Sequence, residues 1–475
     1  MRLPRIAIVA FVMVALFCLP SLIYTGSYIV SDTPVPMEGV EPSPYPDEPL
    51  TEGFLFVVLD GGRKDMMSDP NFMPNLNRRV ADGAYLEVRT NPLTMTAMCV
   101  KEMATGVPSR PNEALQNFHP QHPGSVDGFN LATTHDGDGN GQPDNHVGVI
   151  GDYVWEHLIF DQEKAPFYEA RYGHADYYRG DEEGFEELKR WARGAPPEGH
   201  SIPRNLIVAH LSGLDSVGHR YGALDSPEYE EKLRWIDTNL EEVFQELPDD
   251  WTVVVTSDHG LTDSGQHGSD LDILRDVAAF MWGPNVKEGA VVKGVQQRDL
   301  ATLPSVLFSL PLPHAVHGRI PLDAFDISEA KRQQLNQWNW DATVARNDWL
   351  IEEGHPHIEG LTSEKIEWER LNVDEIGLRT SDFVLSALAV LSISGVLIYA
   401  LRELKQSKKV IFWSTISFVT TAVLSMTLSY NRDTLALFYY PVGLWLPVGI
   451  FVGGLLILQH EKWKHHEFSH LKIVA

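Results

Sequence analysis

The stretch "GFLFVVLDGG", Gly53–Gly62, decides the fold: an unbroken apolar run, Phe54 to Leu59, closes on an acid and two glycines. Apolar residues without alternation are those of a strand covered on both faces, as in a parallel sheet between two layers of helices. The same pattern recurs at "HVGVIGD" (146–152), "NLIVAHLSG" (205–213) and "WTVVVTSDHG" (251–260). Helix-like stretches alternate with these runs: "MPNLNRRVADGA" (73–84), "EEGFEELKRWARG" (182–194) and "SPEYEEKLRWIDTNLEEVFQEL" (226–247). In the last, Tyr229, Leu233, Ile236, Leu240 and Val243 recur at helical spacing. Alternating strands and helices predict an α/β domain around a largely parallel sheet with helices on both faces.

Outward from that domain the chain changes character. Residues 6–24 are almost wholly apolar, and three further apolar runs lie at about 383–401, 410–428 and 435–458. Each is near the ~20 residues that cross a bilayer as a helix. No small-residue cleavage site follows the first run, so it is expected to stay as an anchor rather than leave as a signal peptide. Arg2 and Arg5 precede it; Arg402, Lys405, Lys408 and Lys409 lie between the second and third runs, and Lys462, Lys464 and Lys472 follow the fourth. The positive-inside rule then puts both termini in the cytoplasm and the domain outside it, or in a lumen. The expected order is an anchor at 1–27, a proline-rich acidic tether at 28–52, the α/β domain at 53–325, and a helical stalk at 326–380. Three transmembrane helices at 381–460 and a basic cytoplasmic tail at 461–475 complete it.

A formal charge of −27 argues against nucleic acid as a partner and against docking on anionic lipid. Two cysteines, Cys18 and Cys99, exclude a disulfide framework.

Open α/β sheets bind ligands beyond the carboxyl ends of their strands. Three of the apolar runs end in metal-ligand residue types there: Asp60; Asp215 with His219; and Asp258 with His259, followed eight residues later by His267. Each alone reads as a cap or turn residue. Together, after three separate strands, they point to a mixed nitrogen and oxygen site for zinc or a similar divalent ion. The segment "TNPLTMTAMCVKEMATG" (90–106) adds the hydroxyls of Thr94 and Thr96. A threonine is a poor nucleophile until a base or metal lowers its pKa.

The set "VVLDGGRKD", "NPLTMTAMCVKEMATG", "AHLSGLDSVGHRYG" and "SDHGLTDSGQHG" resembles the alkaline phosphatase superfamily, from about Phe54 to Phe325. Within it the chain is most similar to the GPI ethanolamine phosphate transferases, with the phosphodiesterase/nucleotide pyrophosphatase group next. The resemblance implies two zinc ions. One would be held by Asp215, His219 and His267, the other by Asp60, Asp258 and His259 with Thr96, which is also the nucleophile. Thr96 rather than Thr94 matches the family's spacing to Thr105–Gly106. Lys101 falls on a lysine of the transferase motif that would steady the phosphate, or is a solvated helix charge. Asp152 and Trp155 match a "GDDTW"-like motif that would shape the pocket. The chain departs from the transferases in Thr94-Met95-Thr96, where they carry a threonine triplet, and in having fewer C-terminal apolar runs.

One motif stands apart. In "HDGDGNGQPDN" (135–145), Asp136, Asp138, Asn140 and Asp144 follow a calcium-loop spacing with Gly141 at the turn. Val147 occupies the twelfth position, where an EF-hand needs Glu, which leaves a shorter calcium loop or a solvated acidic turn.

The expected activity is transfer of a phosphoethanolamine-like group from a phospholipid donor to a lipid-linked glycan or glycolipid through a phospho-threonine. A membrane-anchored phosphodiesterase shares every residue named, and a non-catalytic metal-bound receptor is a third reading. A sulfatase is disfavoured by the absence of a C-x-P-x-R or S-x-P-x-R motif.

Overall fold

Strand β1 (Gly53–Leu59) is buried along its whole length. Its side chains alternate, so Phe54, Phe56 and Val58 enter one core while Leu55, Val57 and Leu59 enter another. Full burial of such a side chain is worth roughly 1.5–3 kcal/mol, so this one strand ties both layers together. The computed structural model describes residues 48–110, 127–158, 165–169 and 176–371, less 138 and 356, together with 33, 35, 43–45 and 113. All of these belong to one compact unit, Ser31–Asp374. The four apolar runs, the basic tail and most of the tether lie outside the described residues. Among the described residues no helix is long and apolar enough to cross a membrane.

Seven further strands follow: β2 (Gly83–Arg89), β3 (Val147–Gly151), β4 (Phe167–Glu169), β5 (Leu206–Leu211), β6 (Trp251–Thr256), β7 (Asp276–Trp282) and β8 (Ala290–Gln296). They form one sheet in the order β4-β3-β5-β1-β6-β7-β2-β8. β5 and β6 flank β1 and run parallel to it. The sheet is mostly parallel, as expected, but β7 is antiparallel to both of its neighbours. Parallel neighbours need a long crossover. Between β6 and β7 the only helix is the single turn Asp272–Arg275, so the chain runs back instead.

Five helices matter for the site: α1 (Thr96–Thr105), α2 (Arg179–Ala192), α3 (Gly213–Tyr221), α4 (Pro227–Phe244) and α5 (Glu329–Glu352). α4 starts where Ser226 Oγ accepts from the Tyr229 amide and Pro227 opens the helix. Its apolar stripe, Tyr229 to Val243, fills the second core. α5 occupies the segment expected to be a stalk, and its Leu335, Trp338 and Ala342 pack into the first core.

A buried ion pair locks the exit of β5. Lys232 Nζ of α4 lies 2.7 Å from Asp181 Oδ2 of α2, both side chains fully buried. It also donates to Tyr177 O and sits 4.2 Å above the Tyr178 and Trp235 rings. Asp181 Oδ1 accepts from the Gly213 amide at the start of α3. A Cβ at Gly213 would stand 2.3 Å from Asp181 Oδ2, so only glycine fits. Removing one member of such a pair strands a buried charge at a cost of about 3–5 kcal/mol. Lys232→Met is therefore expected to lower the unfolding free energy from urea titration by that amount, with a lower midpoint, and Lys232→Met with Asp181→Leu to recover most of it. Equal midpoints for the single variant and the unaltered protein would refute the assignment.

Candidate metal centre

The three central parallel strands deliver their carboxyl ends to one place. β1 ends at Asp60, β5 leads through Ser212 into α3 with Asp215 in its first turn, and β6 leads to Asp258 and His259. Gly61 makes the approach feasible. Its φ is +70°, a Cβ there would lie 3.0 Å from Asp215 Oδ1, and its amide donates to Asp258 Oδ1 at 3.1 Å. Asp215 and His219 are four residues apart on α3 and so share a face. His219 Nε2 is 3.3 Å from Asp215 Oδ2.

Asp60, Asp258 and His259 offer ligand atoms within 4.8 Å of one another, and so do Asp215, His259 and His267. His259 Nε2 is 3.2 Å from Asp258 Oδ2 and 3.6 Å from Asp60 Oδ1. His219 Nε2 stands 3.1 Å from His267 Nε2, which is 3.9 Å from Asp215 Oδ1. His259 thus stands between the two groups expected from the sequence. The structure brings all six residues together.

The backbone sets two of the imidazoles. His267 Nδ1 donates to Thr94 O at 2.8 Å, and His259 Nδ1 donates to Gly260 O at 3.2 Å. Each therefore keeps its Nε2 lone pair directed into the cluster, the arrangement of a metal-ligating histidine. On the acid side, Asp60 Oδ1, Asp215 Oδ1 and Asp258 Oδ2 are buried with no hydrogen-bond partner. Burial, then the charges of Asp258 and Asp215, push the Asp60 carboxyl well up. Burial pushes Asp258 up to about 6 and holds His259 well below the usual imidazole range. Orphaned carboxylate oxygens facing imidazole lone pairs fit a divalent cation of the zinc type.

Thr96 opens α1, and its Oγ1 lies 3.4 Å from His259 Nε2. Thr94 is spent on structure: fully buried, it donates to Ser269 O and accepts from the Gly268 amide. Lys101 is also buried, and its Nζ pairs with Glu113 at 2.5 Å rather than facing solvent. Asp152 Oδ2 accepts from Ser212 Oγ, and Oδ1 accepts from the Val154 amide. Trp155 is buried beside His210.

In the acidic loop, Asp136 accepts from the amides of Asn140 and Gly141, Asn140 Oδ1 from Gln142, and Asp144 Oδ2 from Gly137. Asp138 lies outside the described residues. His210 and Glu113, buried partners of predicted site residues, had no part in the sequence reading. A polar residue inside the apolar run of β5 was the available signal for His210. Nothing local marked Glu113, whose partner is 12 residues away.

The family profile described as type I phosphodiesterase / nucleotide pyrophosphatase matches residues 54–304. The mouse GPI ethanolamine phosphate transferase 3, catalytic subunit, is 26% identical over 183 residues, 38% of this chain and 16% of that protein. GPI ethanolamine phosphate transferase 1 of Schizosaccharomyces pombe is 30% identical over 166 residues, 29% of this chain and 18% of that protein. The match therefore spans under a fifth of the length of either transferase. Among solved structures, murine ectonucleotide pyrophosphatase / phosphodiesterase 5 aligns with 54% of this chain and 95% of its own, at 15% identity and a TM-score of 0.38.

The raised carboxyl pKa values carry a sign. A divalent ion binds the deprotonated forms, so Asp60 and Asp258 must release protons as it enters at acid pH. His259, its pKa lowered, is already neutral there and releases none. Zinc affinity is thus expected to climb with pH from 5, most steeply below about 6 where Asp258 is still protonated, and less steeply above it. Competition against a chromophoric chelator measures it. The slope should be shallower in Asp258→Asn, and a pH-independent affinity would contradict the carboxylate assignment.

Proposed function

The chain belongs to the type I phosphodiesterase / nucleotide pyrophosphatase family, and we propose that it transfers a phosphoethanolamine-like group from a phospholipid to a lipid-linked glycan through a phospho-threonine on Thr96. The observation that carries this reading is the Thr96 hydroxyl, placed at the start of α1 and 3.4 Å from His259 Nε2 within the carboxylate and imidazole cluster. Asp215, His219 and His267 would hold one divalent ion, and Asp60, Asp258, His259 and Thr96 the other. When bound, such a pair lowers the pKa of a hydroxyl and neutralises charge on a phosphoryl group.

Thr96 Oγ gives up its proton and attacks the phosphorus in line, and the donor's alcohol oxygen leaves with the electron pair of the broken P–O bond and takes up a proton. The positive end of the α1 dipole, at Thr96, favours the negative phosphoryl oxygens. An acceptor hydroxyl then attacks the phospho-threonine from the opposite side and returns Thr96 to its starting state. Fully buried Thr94 holds the segment in place while Thr96, less buried, is free to react. The four apolar runs support an integral membrane protein with its domain outside the cytoplasm, where a lipid donor and a lipid-linked acceptor both have access. Two relatives named as ethanolamine phosphate transferases support the group transferred.

A second reading, hydrolysis by the same residues, is favoured by the family description itself. In it water replaces the acceptor hydroxyl in the second step.

Thr96→Ala is expected to reduce turnover by about 10⁴-fold or more, with zinc content unchanged and Thr96→Ser partly active. Retained activity would remove Thr96 from the role. A headgroup-labelled phospholipid separates the two readings. Label on a glycolipid acceptor identifies a transferase, and label only in free ethanolamine phosphate identifies a hydrolase.

A further inference from the structure

We propose that His210 is a positioning residue that aims the Asp60 carboxylate at the metal centre, an inference that rests on Asp60 being a ligand. His210 lies in β5, fully buried, in register with β3 at Gly151. The close approach of the two strands there needs glycine: Gly151 has φ +116°, and a Cβ would fall 1.9 Å from His210 O. At the imidazole itself, Trp155 Nε1 is 3.2 Å from His210 Nδ1. An indole N–H only donates, so His210 Nδ1 accepts and the ring proton sits on Nε2. The Trp155 ring is itself held edge-on between Phe56 and Phe129, at 6.4 and 5.7 Å.

His210 Nε2–H is buried without a hydrogen-bond partner. It faces Asp60 Oδ2 at 3.6 Å, while the other oxygen of that carboxylate, Oδ1, lies 3.6 Å from His259 Nε2 inside the cluster. A buried N–H beside a buried carboxylate fixes which oxygen turns away from the ion, in the manner of outer-shell partners that orient metal ligands. The contrast with the neighbouring rings is chemical. His259 and His267 give their Nδ1 protons to carbonyl oxygens and present a lone pair at Nε2. His210 accepts a hydrogen bond at Nδ1 and presents N–H at Nε2. It is therefore built to hold a carboxylate and not to bind a cation.

The test uses the full chain with zinc as the probe. Two zinc ions are expected in the unaltered protein. In His210→Leu one of them should bind about 10–100-fold more weakly while the other keeps its affinity, with the melting temperature of the chelated protein little changed. His210→Gln, which restores an N–H donor, should recover most of the loss, and Trp155→Phe, which frees the tautomer, should fall between. Unaltered affinity of both ions in His210→Leu overturns the positioning role alone. Absence of any bound divalent ion in the unaltered protein overturns the metal centre and this inference with it. Should His210→Leu not fold, ¹⁵N shifts of labelled histidine in the unaltered protein decide. A protonated Nε2 at His210, opposite to His259 and His267, supports the role, and a protonated Nδ1 overturns it.

Discussion

Mutual repulsion among Asp60, Asp215 and Asp258 is the interaction on which the surrounding structure depends. Charges a few ångströms apart in a dry pocket interact far more strongly than in water, and burying each one costs several kcal/mol unless it is paired. Two remedies exist, protonation or a cation. The raised carboxyl pKa values describe the first, and the imidazole lone pairs beside them prepare for the second. The fold can sustain this arrangement because β1, with hydrophobic cores on both faces, holds the ends of β5 and β6 in fixed register.

The sheet was legible because short apolar runs bounded by glycine, alternating with helix-like stretches, are the mark of doubly covered strands. β1, β5 and β6 each showed this pattern, and their terminal acids and imidazoles lay where a parallel sheet keeps its ligand site. β7 was less legible. Its direction follows from a missing crossover, and an apolar run carries no sign of which way it points. The segment that holds α5 reads as a stalk or packing layer because its polar and aromatic residues dilute the helical stripe. Its apolar face is made by widely spaced residues such as Leu335 and Trp338, which meet the core only in three dimensions.

Within the site, residues that follow strands could be found by position, since Asp60, Asp215 and His259 each come after an apolar run. Lys101 shows the limit. A motif can say that a lysine belongs there, but its pairing with Glu113 depends on how the chain returns after α1. His210 was hidden for a related reason. Its meaning lies in what its two nitrogens face, Trp155 on one side and Asp60 on the other, and both partners are distant in sequence.

The main-chain acceptors Thr94 O and Gly260 O, which orient His267 and His259, confer an unequal tolerance to genetic drift. A carbonyl oxygen is common to every amino acid, so no exchange of side chain at position 94 or 260 removes that acceptor as long as the loop path survives. The ligands' electronic state is thereby insulated from most single-codon changes. The indole that addresses His210 has no such insurance, for only tryptophan supplies that N–H. In a cluster wired in this way, exchanges on the cavity walls can alter which molecule fits without touching the two main-chain acceptors.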